Sequence, residues 1–143
     1  MSGEQAAALY ACFLRDTLDI VRAAQKLCDF VPIISYAPEG AEAYFRELAP
    51  DFELLLQNGA DLSERLHHAT AYCLTVGGYE QAVIMDSDSP TLPADCLRAA
   101  FAELDNADVT LGTCDDGGYY LIGLKAPASH LFLGVTMSTP QVV

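Results

Sequence analysis

The sequence predicts one α/β domain, a layered sandwich of helices around a mostly parallel sheet. The first observation is the length of 143 residues, which corresponds to one domain at about 150 residues each. The second is the composition, 52% hydrophobic against 19% charged, which is sufficient for an ordinary core. The third is that helical and strand patterns alternate along the chain with short connections, as in βαβ units.

Four helical segments are recognised by apolar residues that recur three and four positions apart. They lie at 4–25, 41–48, 61–73 and 93–104. The third begins with Asp61, an N-cap residue, and Glu64 follows three positions later, as in a capping box. The caps and the spacing together predict helices that each bury one face.

Strands are predicted by short β-rich runs between turn residues. The runs lie at 31–36, 52–56, 82–85, 108–114 and 119–124. Residues 82–85 are apolar without alternation, which is typical of a strand covered on both faces. The last two runs flank an Asp-Asp-Gly-Gly sequence, and Asp-Gly favours tight turns, so an antiparallel hairpin is the alternative to parallel pairing there.

The charge balance excludes some partners. Seven Lys and Arg against twenty Asp and Glu leave a formal charge of −13, which repels phosphate backbones and anionic membranes. We therefore expect neither a nucleic-acid nor a membrane partner. The longest apolar run, 6–14, is shorter than the ~18 residues of a spanning helix, and no basic signal-peptide region precedes it. The odd number of cysteines predicts reduced, mostly buried thiols and a cytoplasmic location.

Two acidic clusters are the candidate chemical groups. Asp86 and Asp88 follow one predicted strand, and Asp115 and Asp116 follow another, where open α/β sheets bind ligands. Asp86 and Asp88 are two residues apart, so an extended backbone directs both carboxylates to one face. Carboxylates together with substrate phosphates commonly hold Mg²⁺. Acidic turns are equally common structural features, so the residues alone leave both interpretations open.

A resemblance to a known family favours the metal-binding interpretation of these acidic clusters. The stretches MDSDSPTL at 85–92, LG at 111–112 and DDGGYYLIG at 115–123 resemble small bacterial glycosyltransferase-like proteins, some of them associated with arsenosugar biosynthesis. These proteins belong to the type A nucleotide-diphospho-sugar transferase superfamily, to which molybdenum-cofactor guanylyltransferases are more distantly related. The resemblance extends over 6–18 and 61–66 and covers nearly the whole chain.

The resemblance implies a Rossmann-like three-layer sandwich and a metal-dependent transferase. It also implies a nucleotide-activated sugar donor, a small-molecule acceptor and a divalent cation, Mg²⁺ or Mn²⁺. By position, the metal ligands would be Asp86, Asp88 and Asp116, of which Asp88 and Asp116 would be catalytic. The substrate-binding residues would be Asp86, Arg65, Gly117, Gly118 and Tyr119. Arg65 has a surface ion pair as its alternative role, and of Tyr119 and Tyr120 we expect one to face the core and the other the cleft.

Differences from the family lead to two further expectations. Family members begin with a strand and a phosphate-binding loop and continue beyond the segment at 137–140, whereas this chain enters the first helix directly. We therefore expect a single truncated domain over 1–143, and the alternatives are a nucleotidyltransferase of the same fold or a catalytically silent binding or assembly module. Without that first strand, 31–36 and 82–86 lack a shared neighbour. Either the gap closes internally or two chains pair, and we favour a homodimer.

Overall fold

The computed structural model describes residues 1–135, so the segment at 137–140 lies outside the described residues. These residues form helices and strands in the predicted order. The helices are α1 (Gly3–Ala24), α2 (Glu42–Leu48), α3 (Leu62–Thr75) and α4 (Asp95–Leu104), and a 3₁₀ turn follows at Ser129–Leu131. The strands are β1 (Ile33–Tyr36), β2 (Glu53–Leu56), β3 (Ala82–Met85), β4 (Val109–Thr113) and β5 (Tyr119–Leu124).

The strands are divided between two sheets. β1 and β2 pair in parallel, with Ile33 opposite Glu53. β5 lies between β3 and β4 and is antiparallel to both. The α/β class is confirmed, but a single, mostly parallel sheet is wrong for residues 1–135. The reason is the tight turn after β4, which returns the chain directly as a hairpin and leaves the other edge of β5 to pair with β3.

Helix α1 connects the two sheets through two sets of side chains. Near its middle, Leu14 and Leu18 form a buried cluster with Ala49 and Phe52, against which Ile34 of β1 packs. At its C-terminal end, Ala24 belongs to a second cluster, whose other buried members are Leu97, Ala100 and Leu121. Helix α1 therefore contributes side chains to the cores beside both sheets.

The second face of the three-stranded sheet is covered by α3 and the segment after β5. Ile122, Leu124 and Phe132 form a third buried cluster there, and Leu66 and Leu74 of α3 pack against it. The β3–β5–β4 sheet therefore carries helices on both faces, as the apolar run at 82–85 predicted for β3.

The cysteines depart from expectation. All five thiols are free, but Cys12 and Cys114 are exposed and the other three are half-buried, so the prediction of mostly buried cysteines is wrong. Cys12 lies on the N-terminal part of α1, where most side chains are exposed, and Cys114 follows β4. Within residues 1–135, no helix combines the length and the apolarity needed to cross a membrane.

Candidate active site

The two acidic clusters lie at the same end of the three-stranded sheet. The register pairs Met85, the last residue of β3, with Leu121, and it pairs Thr113, the last residue of β4, with Tyr119. The backbone N–H of Asp86 donates a hydrogen bond to the Tyr120 carbonyl at 3.2 Å. The loop after β3 and the turn between β4 and β5 therefore lie side by side.

The carboxylate of Asp86 is half-buried and only partly satisfied. Its Oδ2 accepts a hydrogen bond from the Ser89 hydroxyl at 2.9 Å, whereas its Oδ1 is buried without a partner among the described residues. Burial raises the pKa of Asp86 above its ordinary value, and the charge of Asp88 adds to the rise, while the Ser89 hydroxyl and the backbone N–H groups of Ser89 and Asp88 oppose it. A buried oxygen of this kind is costly unless a donor or a cation meets it.

Helix α1 fixes the loop that carries these carboxylates. The Tyr10 and Ser87 hydroxyls are hydrogen-bonded at 2.9 Å. The Thr17 hydroxyl donates to the Phe13 carbonyl of its own helix at 2.9 Å and shares its proton with the Ser87 carbonyl at 3.3 Å. The neighbouring Asp88 is exposed to solvent. Sequence reasoning missed this support, although Tyr10 and Thr17 are seven positions apart and so lie on one face of a helix.

The turn between β4 and β5 is closed by hydrogen bonds of its own. The Gly117 N–H donates to the Cys114 carbonyl at 3.2 Å, and the Cys114 N–H donates to the Gly118 carbonyl at 2.8 Å. Gly117 has a φ of +87°, which favours glycine. Asp116 Oδ1 accepts from the Gly118 N–H at 3.0 Å, so one oxygen of this predicted ligand has a structural role in the turn.

The pKa of Cys114 shows that carboxylates of both acidic clusters lie near its thiol. Partial desolvation of its thiol raises the pKa of Cys114, and the charges of Asp116, Asp86 and Asp115 add to the rise in that order. The thiol is therefore within electrostatic reach of carboxylates on both loops. Sequence reasoning did not select this residue, because a single cysteine after a strand carries no local signal.

The predicted three-carboxylate metal set is not assembled by these side chains. Residues 1–135 contain no group of three or more His, Cys, Asp or Glu side chains placed to hold a metal ion. Asp86, Asp88 and Asp116 thus share one end of the sheet without converging on a common point. The reason is local, because Asp116 is turned toward the Gly118 N–H while Asp86 is turned toward Ser89.

The two tyrosines that begin β5 pack against different core clusters. Tyr119 is half-buried beside the cluster of Ile122, Leu124 and Phe132, and Tyr120 packs against the cluster around Leu121. The Tyr120 ring covers Gly112, where an added Cβ would lie 2.5 Å from ring carbons. Both rings therefore contribute to packing next to the site.

Arg65 lies at the end of the other sheet. Its Nε donates to the Gly59 carbonyl at 3.1 Å, and its Nη1 donates to Gln57 Oε1 at 3.5 Å. Within residues 1–135, no carboxylate lies within 4.0 Å of it, so the surface ion pair considered as its alternative role is not formed there. Arg65 instead lines a groove of about 410 Å³ between α3 and β2, together with Gln57 and Tyr72.

The comparisons with known proteins agree with this architecture. A crystal structure from Desulfovibrio desulfuricans G20, described as a candidate nucleotide-diphospho-sugar transferase, is similar, with a TM-score of 0.82 and 30% sequence identity. The match covers 97% of this chain and 60% of that one, so the chain spans less than two thirds of the length of that relative. The fold is accordingly of the nucleotide-diphospho-sugar transferase type.

The chain also matches the model of a protein family. The model of the family described as "Uncharacterized protein conserved in bacteria (DUF2064)" matches residues 20–139, and the chain belongs to this family. No curated protein matches the chain.

Proposed function

We propose that the chain is a metal-dependent transferase that acts on a nucleotide-activated sugar and a small-molecule acceptor. Three observations support the proposal: the family, the solved structure of similar fold, and two acidic loops at one end of the sheet. Both loops follow the carboxyl ends of β3 and β4, which run in the same direction on either side of β5, and ligands of open α/β sheets bind at carboxyl ends of strands.

The observation that carries the proposal is the orphaned Oδ1 of Asp86. Its chemistry fits a hard divalent cation, Mg²⁺ or Mn²⁺, because such ions take carboxylate oxygens and complete their shell with water and substrate phosphates. We infer that Asp86 and Asp88 would hold the ion. Asp116 is not assigned to the ion, because its carboxylate is turned into the β4–β5 turn and does not converge with the other two. When bound, the ion would neutralise charge on the leaving nucleotide diphosphate.

The remaining residues would shape the site around the substrate. Tyr10 and Thr17 hold the loop at Ser87 and thereby orient the carboxylates on either side of it. Gly117 and Gly118 have no side chain beyond the backbone, so sugar or acceptor could approach closely beside Tyr119. Arg65 belongs to the end of the other sheet and is not assigned to the donor phosphate.

The negative charge of the chain affects how a diphosphate donor can bind. The site gathers negative charge in a protein whose formal charge is −13, and this field opposes the approach of a diphosphate. Donor binding should therefore depend on the cation.

In calorimetry, nucleotide-diphospho-sugars should release heat with Mn²⁺ present and release none in EDTA. Absence of heat with every nucleotide tested would contradict the transferase and favour the silent binding module. Heat with nucleoside triphosphates alone would favour the nucleotidyltransferase.

A thermal-shift experiment tests the metal ligands themselves. We expect Mn²⁺ or Mg²⁺ to raise the Tm of the parent protein by a few degrees, because a ligand that binds the folded state alone stabilises it. Asp86→Asn and Asp88→Ala should each abolish the rise. Asp108→Asn is the matched control, because Asp108 is an exposed acid just before β4, at the opposite end of the same sheet. A parent that does not respond to metal, or an Asp86→Asn variant that responds like the parent, would refute the assignment.

A further inference from the structure

One edge of strand β2 is free in the described part of the chain. The N–H of Glu53 donates to the carbonyl of Pro32, just before β1, and the N–H of Gln57, just after β2, donates to the carbonyl of Tyr36 at the end of β1. Because successive residues of a strand direct their backbone groups to opposite sides, Leu54 and Leu56 direct theirs away from β1. Within residues 1–135, no strand pairs with that side of β2. Such an edge of apolar residues is a template for pairing with another strand.

The surface beside this edge is apolar and open to solvent. Tyr72 is 44% exposed and Val76 is 73% exposed, and both line the groove between α3 and β2. Leu56 is 40% exposed and borders the groove, but its side chain projects from the face opposite to that of Leu55. β2 differs in this respect from β1 and β3, whose residues are half-buried or buried. Among the described strands, β2 and β4 are both exposed edge strands, and of these two it is β2 that lines the groove.

Unpaired charges of opposite sign lie at the two ends of β2. Glu53 is exposed at its start, and no Lys, Arg or His nitrogen lies within 4.0 Å of its carboxylate among residues 1–135. Arg65 lies at its end, hydrogen-bonded to Gln57 and without a carboxylate partner in the same residues. Glu53, Leu55 and Gln57 project from one face of the strand, the face that lines the groove of α3 at Leu55 and Gln57.

We propose that β2 pairs antiparallel with β2 of a second copy of this chain. A two-fold axis at Leu55 places Leu54 opposite the partner's Leu56, so that the outward backbone groups of both strands form hydrogen bonds. The same register places Glu53 opposite the partner's Gln57, beside the partner's Arg65. Glu53, which has no ion-pair partner within residues 1–135, then meets a guanidinium that has no carboxylate partner in the same residues, twice per dimer. This pairing uses the outer edge of β2, unlike the homodimer expected from 31–36 and 82–86, and does not depend on the proposed transferase activity.

Sedimentation equilibrium with a charge exchange tests the proposal. The parent at tens of micromolar should have twice the 15.4 kDa mass of the chain. Glu53→Arg and Arg65→Glu should each raise the dimer dissociation constant about tenfold or more, because two attractions become two repulsions. The double variant, Glu53→Arg with Arg65→Glu, should recover the dimer. Glu103→Arg is the control, since it makes the same charge change on an exposed position of α4.

A further variant separates pairing from folding defects. Arg65→Glu also removes hydrogen bonds within the 57–59 loop, so circular dichroism must show that each variant is folded. Leu56→Lys changes an exposed side chain and leaves Arg65 intact, and a lysine on an edge strand opposes pairing. It should give a folded monomer. A monomeric parent, a double variant no more dimeric than the single ones, or a Leu56→Lys variant that remains dimeric would overturn the proposal.

Discussion

At the scale of single residues, Asp86 shows how a folded protein maintains an unfavourable carboxylate. One oxygen is held by Ser89 and the other is buried without a partner. Because burial raises its pKa, the folded state binds this proton more tightly than the unfolded chain does. The group therefore stabilises the fold at low pH, and its contribution is lost as the pH rises through the folded-state pKa.

This linkage predicts the behaviour of Asp86→Asn without metal. The variant cannot ionise, so at pH 7 its Tm should exceed that of the parent. The difference should shrink as the pH falls toward 4, because the parent carboxyl then becomes protonated too. Thermal unfolding from pH 4 to 8 measures both effects. An Asp86→Asn variant that is less stable than the parent at pH 7 would contradict the prediction.

At the scale of elements, the start of α3 is set by a short run of local contacts. The Asp61 carboxylate accepts from the Glu64 N–H at 2.9 Å, and the Glu64 side chain accepts from the Ala60 N–H at 2.8 Å. The predicted N-cap is confirmed, and Glu64 reaches back one residue further than a standard capping box requires. Gly59 precedes this run with a φ of +136°, and an added Cβ there would lie 2.7 Å from the Glu64 Cβ.

Gly59→Ala should therefore destabilise the protein by about 1–3 kcal/mol, since it combines a strained φ with a clash against the helix start. Gly78→Ala is the matched control, because Gly78 also has a positive φ, +71°, but lies in open space. It should cost about 1 kcal/mol, the conformational penalty alone. Urea denaturation measures the free energy of unfolding of both variants. Equal decreases would show that the contact with Glu64 does not contribute to the destabilisation.

At the scale of the whole molecule, the segment after β5 completes the core. Phe132 is fully buried and packs with Ile122 and Leu124 on the α3 side of the sheet. Its ring centroid lies 6.4 Å from that of His67 on α3. The segment therefore connects the end of the described chain to its middle helix.

Truncating this anchor should have a large effect. Phe132→Ala should reduce the free energy of unfolding by about 3–5 kcal/mol, the usual cost of removing a buried phenylalanine ring. Leu133→Ala, at the adjacent residue that is 44% exposed, should cost less than about 1 kcal/mol. Chemical denaturation compares the two, and a loss of less than 1 kcal/mol for Phe132→Ala would show that the segment does not stabilise the core.

Local signals were sufficient to predict every helix and strand in its order. Apolar spacing, the Asp61 cap and the Asp-Gly turn act over a few residues, so they can be recognised without knowing the fold. The same signals predicted that the loop after β3 and the turn after β4 lie at strand ends. They left open whether the last two strands form a hairpin, and the structure confirms that they do.

The sequence by itself determined the elements, the acidic character and the two candidate loops of this protein. Only the tertiary structure decided that the strands divide into two sheets and that Asp116 is turned into its own hairpin. It also brought the hydroxyl of Thr17 within hydrogen-bonding distance of the carbonyl of Ser87, 70 positions away. Helical periodicity and caps depend on neighbours in the chain, whereas strand pairing and the satisfaction of a buried carboxylate depend on atoms that only the folded chain brings together.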